Sequence, residues 1–262
     1  MSFIKADKVG KVYGNGNQEG VVALEGFNLD VREKEFVSVV GPSGCGKSTF
    51  LFMLAGLEEI TTGDILLEGK PVQGPDPKQA MVFQEYLLFP WRTVRQNIAF
   101  GPEVRGLPEG RTEEIVWKYI NLVGLAGFEH SYPYELSGGM KQKVAIARAL
   151  ANEPRVLLMD EPFASLDALS REILQQELLA IWALTEATVV FVTHSISEAV
   201  FLSDRVAVLT KRPGRIKETV AIDLPRPRDM RMMATAQFIQ YEQRIRKLVL
   251  DEVQTNAMGG YC

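Results

Sequence analysis

The sequence predicts an α/β protein: a mostly parallel sheet with helices, an antiparallel β region at the N-terminus and a helical subdomain inserted midway. Three observations predict it. Short apolar runs rich in β-branched residues recur at 36–40, 155–160 and 188–193, and runs apolar on both faces belong to buried parallel strands. After residue 155 these runs alternate with segments of helical period, the alternation of a βαβ core. Between the strand ending at Phe83 and the run beginning at Arg155 the pattern turns mostly helical, over about 93–150.

In chain order, residues 2–31 read as short strands around the polar turn Gly14-Asn15-Gly16-Asn17-Gln18-Glu19-Gly20. Phe36-Val37-Ser38-Val39-Val40 is a buried strand, and a helix opens at Ser48-Thr49-Phe50-Leu51-Phe52-Met53-Leu54-Ala55. Two strands follow, Asp64-Ile65-Leu66-Leu67-Glu68 before the turn Gly69-Lys70, and Gln79-Ala80-Met81-Val82-Phe83. The clearest helix of the insert is 111–123. Beyond it come the strand 155–160, a helix at 169–184, a strand at 188–193, a helix at 195–202 and a strand at 205–210. A last strand is expected at 215–222 and a last helix at about 231–253. The expected organisation is one catalytic domain over 1–222, with the helical subdomain inserted at about 86–152, and a C-terminal helical extension over 223–262.

Composition excludes several classes. With 46% hydrophobic and 24% charged residues the chain is ordinary for a folded globular protein. The net charge of −4 gives no global basic field for nucleic acid. The two cysteines, Cys45 and Cys262, are placed so that a structural disulfide is not expected, which fits a reducing compartment. The N-terminus lacks the apolar core of a signal peptide, and no apolar run reaches the roughly 18–20 residues that span a bilayer. Work at a membrane is therefore expected to go through a partner.

The motifs carry the chemistry. Gly41-Pro42-Ser43-Gly44-Cys45-Gly46-Lys47-Ser48-Thr49 fits the phosphate-binding pattern G-x-x-x-x-G-K-[ST], and it lies between a strand and a helix as the pattern requires. Its glycines let backbone N–H groups curl around an anion, and the new helix turns its positive end to the same place. Lys47 is expected to reach the β- and γ-phosphates and Ser48 to ligate Mg²⁺. The motif in this setting predicts a phosphate-loop NTPase core that binds a nucleoside triphosphate. Leu136-Ser137-Gly138-Gly139-Met140 precedes a helix with Val144, Ile146, Ala147 and Leu150 at helical spacing, a second anion-binding helix start. Two such devices in one chain suggest a nucleotide held between two surfaces.

Val156-Leu157-Leu158-Met159 ends in Asp160-Glu161, two carboxylates at the end of a parallel strand, where ligands sit in such sheets. Asp160 is placed to hold Mg²⁺ through water, and Glu161 to act as general base on the attacking water. His194 follows the strand Thr188-Val189-Val190-Phe191-Val192-Thr193, and a neutral imidazole there can hydrogen-bond the γ-phosphate. His130, in the insert, reads as structural. Gln84 ends its strand and can contact Mg²⁺ or the water. Tyr86-Leu87-Leu88-Phe89-Pro90-Trp91, just after it, is apolar for a loop; core burial and a docking surface both account for it. Cys45, at a helix N-terminus beside Lys47, is expected to favour the thiolate, react with a maleimide and be protected by ATP.

Phosphate loop, Gln84, Leu-Ser-Gly-Gly, Asp-Glu and His194, in this order and spacing, resemble the ATPase subunit of an ATP-binding cassette (ABC) transporter, from about residue 3 to 222. The resemblance implies further roles. Tyr13 would stack on adenine. Ser165-Leu166-Asp167 would be the loop that crosses a dimer interface. Two subunits would pair head to tail, Ser137, Gly138 and Gly139 of one completing the γ-phosphate site of the other. Met140 replaces the family's commoner Gln. Phe89-Pro90-Trp91-Arg92-Thr93-Val94, Asn97-Ile98-Ala99-Phe100-Gly101, Tyr132-Pro133, Arg212-Pro213-Gly214-Arg215-Ile216 and Leu224-Pro225-Arg226-Pro227-Arg228-Asp229 are similar to the nitrate/sulfonate/taurine importer branch.

The implied function is the ATP- and Mg²⁺-dependent motor of an importer: a homodimer on the cytoplasmic face of the membrane. Permease subunits would dock near the loop that runs from Tyr86 to Trp91, with an extracytoplasmic solute-binding protein acting indirectly. The competing class is a soluble ABC ATPase acting on nucleic acid or ribosomes, whose usual coiled coils, zinc cysteine pairs or tandem cassette this sequence lacks. A non-hydrolysing regulator conflicts with Glu161 and His194. Residues 211–247 carry ten Lys/Arg against four Asp/Glu, which reads as a solvated face of the C-terminal appendage rather than an anion-binding surface.

Overall fold

The central parallel strands form where the sequence is apolar on both faces, and the helices where it is apolar on one. In the computed structural model, which describes residues 2–14, 20–185 and 187–254, the elements run β1 (Ile4–Tyr13), β2 (Val21–Val31), β3 (Phe36–Val40), α1 (Lys47–Leu54), β4 (Thr62–Leu67) and β5 (Lys70–Pro71). There follow β6 (Gln79–Val82), α2 (Val94–Val104), α3 (Glu109–Leu122), α4 (Gly138–Leu150), β7 (Val156–Asp160) and α5 (Ala168–Thr185). The chain continues with β8 (Thr188–Val192), α6 (Ile196–Leu202), β9 (Arg205–Leu209), β10 (Ile216–Ala221) and α7 (Ala236–Gln254). The architecture is α/β, with one antiparallel and one mostly parallel sheet. Residues 15–19 of the expected polar turn, and Cys262, lie outside the described residues.

The chain divides into two compact units, residues 1–76 with 188–262, and residues 77–187. In the first, β2, β1, β4 and β5 form the antiparallel sheet in that order. One face of β1 and β2 is buried through Ile4, Ala6, Val9, Leu24, Phe27, Leu29 and Val31. β3 lies between β8 and β9, parallel to both, and β10 closes antiparallel on β9. Every residue of β3 and β8 is buried, as a two-sided parallel strand requires. Inside this layer the Ser38 hydroxyl meets that of Ser203, so the one polar side chain of β3 is satisfied.

α7 packs on α6, β9 and β10, with Phe238 and Ile245 fully buried. It begins at Ala236 rather than near 231. Asp229 and Thr235 explain the shift: Asp229 caps a 3₁₀ turn at Met230–Ala234, and the Thr235 hydroxyl accepts the Phe238 N–H as a fresh start. The basic segment 211–247 is a solvated face only in part. Arg228 is buried and donates to the carbonyls of Phe201 at 2.9 Å and Ser203 at 2.8 Å. Burial, helped by the charge of Arg226, pulls its pKa down to about 10. Arg226 pairs with Asp204, Lys217 with Glu252, and Arg244 with Glu218. Asp204 and Glu252 lie outside the counted segment, so counting charge within it hid the pairing.

In the second unit β6 and β7 run parallel, and α4 packs against α2, α3 and α5. Ile98, Ile115, Val116, Ile120, Val144, Ala147 and Leu150 make the helical core. A capping box, Thr93 with Gln96, starts α2. Buried Asn97 then staples the preceding loop: its Oδ1 accepts the Phe89 N–H at 2.9 Å, and its Nδ2 donates to the carbonyls of Phe89, Arg92 and Thr93. Among the described residues no helix is long and apolar enough to cross a membrane.

Candidate active site

The phosphate loop leaves the end of β3 and enters α1 through Gly46, whose φ of 101° is open to glycine. Space demands glycine there too: a Cβ would stand 2.7 Å from Leu24 Cδ2 and 3.0 Å from the Ala23 carbonyl. The first turn of α1 holds no carboxylate, so nothing offsets its positive end. Lys47 is buried, its ammonium held by the carbonyls of Gly41 and Pro42, each at 3.1 Å. Ser43 and Gly44 face solvent, and Ser48 and Thr49 are half-buried.

The structure overturns the expectation for Cys45. The thiol is fully buried, and desolvation pushes its pKa up, outweighing the opposing charge and backbone N–H of Lys47. A nearby cation lowers a thiol's pKa only as far as burial allows, and this thiol is fully buried.

His194 leaves β8, the strand beside β3, with Val192 in register with Val39, so loop and histidine share one sheet edge. Thr193 fixes that turn, donating to Glu198 Oε2 at 2.6 Å and accepting the Ser195 N–H at 3.0 Å. His194 itself is exposed. Tyr13, at the end of β1, is 40% exposed, with Lys11 Nζ 4.9 Å from its ring centre, so the ring is accessible for stacking.

In the second unit Val82 of β6 is in register with Met159 of β7, so Gln84 and the pair Asp160-Glu161 leave neighbouring strand ends. Asp160 is buried and Glu161 half-buried. Glu161 has φ 46°, a left-handed conformation that costs a non-glycine residue roughly 1 kcal/mol and that collects at functional sites. At the start of α4 the Ser137 hydroxyl accepts the Met140 N–H at 3.3 Å. A Cβ on Gly138 would stand 3.1 Å from Tyr86 Oη, a tight contact that the phenol would have to relax. Asp167 caps α5 through the Ser170 N–H at 3.0 Å, and its hydrogen bonds to Ser170 lower its pKa.

Two long-range contacts of the 86–91 loop escaped the sequence reading. Arg148 donates to the carbonyls of Leu87 at 2.7 Å and Tyr86 at 3.2 Å, with its guanidinium over the Phe89 ring. Tyr86 shares a hydrogen bond with Ser165. Both partnerships span more than sixty residues, beyond any local pattern. The loop they hold is neither core nor fully open. Leu87, Pro90 and Trp91 are exposed, while Tyr86, Leu88 and Phe89 are half-buried. Leu88, Tyr86, Gln84, Pro133, Tyr134 and Lys141 help line a cavity of about 700 Å³. Phe89 instead packs on Phe100, with ring centres 4.6 Å apart.

Among the described residues no group of three or more His, Cys, Asp or Glu side chains could cage a metal. Mg²⁺ is commonly bound by one or two protein oxygens, with the remainder from phosphates and water. Ser48, Gln84 and Asp160 offer hard oxygen donors of that kind.

The family described as ABC transporter matches residues 24–164. An uncharacterized ABC transporter ATP-binding protein of Methanocaldococcus jannaschii is 55% identical over 95% of this chain and 92% of its own length. A nitrate import ATP-binding protein of Synechocystis is 44% identical over 89% of this chain and 90% of its own. Among solved structures, the dimeric post-hydrolysis state of an ATP-binding cassette bound to ADP and Pi superposes with a TM-score of 0.74 at 31% identity, covering 85% of this chain and all of that one.

Proposed function

The chain belongs to the ABC transporter family as an ATP-binding, ATP-hydrolysing subunit, and from that premise we propose that it powers an importer of a small solute of the nitrate, sulfonate or taurine type. Two copies pair head to tail and bind separate permease subunits at the cytoplasmic face of the membrane. The 86–91 loop is the permease contact, and a solute-binding protein acts on the far side. The dimeric relative and the nitrate import relative support this reading.

The residue roles follow from chemistry. The N–H groups of residues 41–49 and the Lys47 ammonium bind the phosphates, and Tyr13 stacks on the base. When bound, Mg²⁺ neutralises charge on the phosphate oxygens, with Ser48, Gln84 and Asp160 as its protein donors. Glu161 takes a proton from the attacking water as its oxygen bonds to the γ-phosphorus; the bond to the bridging oxygen breaks, leaving ADP and phosphate. His194 donates a hydrogen bond to the γ-phosphate, and Gln84 orients the water. Ser137, Gly138, Gly139 and Asp167 act on the nucleotide of the other copy.

The observation that carries the reading is Glu161, a carboxylate held in a left-handed conformation at the end of a buried strand. Reconstitution tests the function. The chain and the permease encoded beside its gene are placed in vesicles with the cognate binding protein, and ATP-driven uptake of nitrate, taurine and an alkanesulfonate is compared. Uptake of one of the three is expected. A permease-bound, hydrolysing complex that moves none rejects the solute class, and failure to bind any permease rejects the importer.

A further inference from the structure

The turn at residues 210–215, between β9 and β10, lies against the phosphate loop, and two separate contacts fix it there. Arg212 Nε donates to the Gly44 carbonyl at 3.1 Å. The Gly214 backbone comes so close to Cys45 that a Cβ on Gly214 would lie 2.0 Å from the Cys45 carbonyl oxygen. Gly214 N also donates to the Ala23 carbonyl at 2.9 Å, and Glu25 N to the Gly214 carbonyl at 3.2 Å, so the turn is tied to β2 as well.

The turn is stiff. Thr210 N donates to the Arg215 carbonyl at 2.9 Å, and Arg215 N to Thr210 Oγ1 at 3.0 Å. Its far flank is held from α7: Glu252 accepts the Lys211 N–H at 3.3 Å and pairs with Lys217 Nζ at 2.8 Å. A chain of contacts thus runs from the end of α7, through the turn, to Gly44.

Carbonyl and N–H point opposite ways in a trans peptide. Arg212 grips the carbonyl of the Gly44–Cys45 peptide, and the N–H of the same peptide lies 3.4 Å from the Pro42 carbonyl, inside the loop. Fixing one end of the peptide therefore sets the other. Arg212 also brings a charge: it is exposed, yet its field reaches the Cys45 thiol.

We propose that Arg212 is a positioning residue for nucleotide binding: it fixes the Gly44–Cys45 peptide and adds positive charge behind the loop, so the grip on the triphosphate depends on the 210–215 turn and, through Glu252, on α7. This rests on reading residues 41–49 as the triphosphate site.

The test uses the full chain with Arg212→Ala, Arg212→Lys, Glu252→Gln and Lys47→Ala. It reads the dissociation constant of a fluorescent ATP analogue, KM and kcat for ATP, and the melting temperature without nucleotide. Arg212→Ala should weaken binding about tenfold, the scale of one charge-assisted hydrogen bond, with the loss falling on KM rather than on kcat. Arg212→Lys, which keeps the charge but not the planar donor, should fall between. Glu252→Gln should shift binding the same way by about threefold, because it weakens a bond one step removed. Native affinity in Arg212→Ala, with binding lost in Lys47→Ala, overturns the inference; so does a fall in kcat with KM unchanged. Native affinity in Lys47→Ala removes the site reading and the inference together.

Discussion

Tyr86 and Ser165 share a hydrogen bond of 3.0 Å between their hydroxyls, joining the loop after Gln84 to the loop after Glu161. The same Tyr86 oxygen lies over Gly138, so three segments proposed to act on ATP or the permease meet at one phenol. Tyr86→Phe should leave the fold intact and cost about 0.5–1.5 kcal/mol at most, the usual net value of a single hydrogen bond. Urea unfolding of Tyr86→Phe, Ser165→Ala and the double variant checks the link: the double should lose no more than the larger single. Losses that add would show that the hydroxyls do not interact.

Glu161→Gln should keep ATP binding and abolish most turnover, because the amide retains size and hydrogen bonding but not basicity. With hydrolysis blocked, ATP should hold two copies together. Size-exclusion chromatography in ATP and Mg²⁺ reads this directly. A variant that hydrolyses at the native rate, or stays monomeric at saturating ATP, removes Glu161 from its role.

Leu88 and Phe89 should behave differently although they are neighbours. Leu88 lines the cavity beside Gln84, whereas Phe89 packs on Phe100 and under Arg148. Leu88→Asp should therefore fold, bind ATP and lose assembly with the permease. Phe89→Asp should lower stability by about 2–4 kcal/mol, because it places a carboxylate among aromatic rings. Melting curves beside permease pull-downs separate the two. A large drop in melting temperature for Leu88→Asp would make Leu88 core.

Cys45 should be slow to alkylate at neutral pH. Its pKa is raised by burial, so the thiolate fraction at pH 7–8 is below that of an ordinary cysteine. The stabilisation from burying the neutral thiol is full below the unfolded-state pKa and is lost as pH climbs through the folded one. In a Cys262→Ser background, maleimide labelling at pH 7.5 should be about tenfold or more slower than in the urea-unfolded chain. Labelling of the folded chain as fast as the unfolded one would place the thiol at the surface.

The sequence alone determined where the buried central strands run. β3 runs from Phe36 to Val40 as read, and β7 and β8 fall within one residue of their expected ends. A strand buried on both faces is mostly apolar, and that is visible in one dimension. The glycines of residues 41–46 and the Asp160-Glu161 pair were legible for the same reason: turn, helix start and strand end are neighbours in sequence. Tertiary structure decided what depends on how the chain returns to itself. It gave Arg148 the carbonyls of Tyr86 and Leu87, set Arg212 on Gly44, and took Arg228 from a presumed solvated face into the interior. It also buried Cys45, reversing the effect of Lys47 on its thiol. A charge or a thiol takes its energy from the solvent it loses and the partners it meets, and both are set by segments far away in the chain.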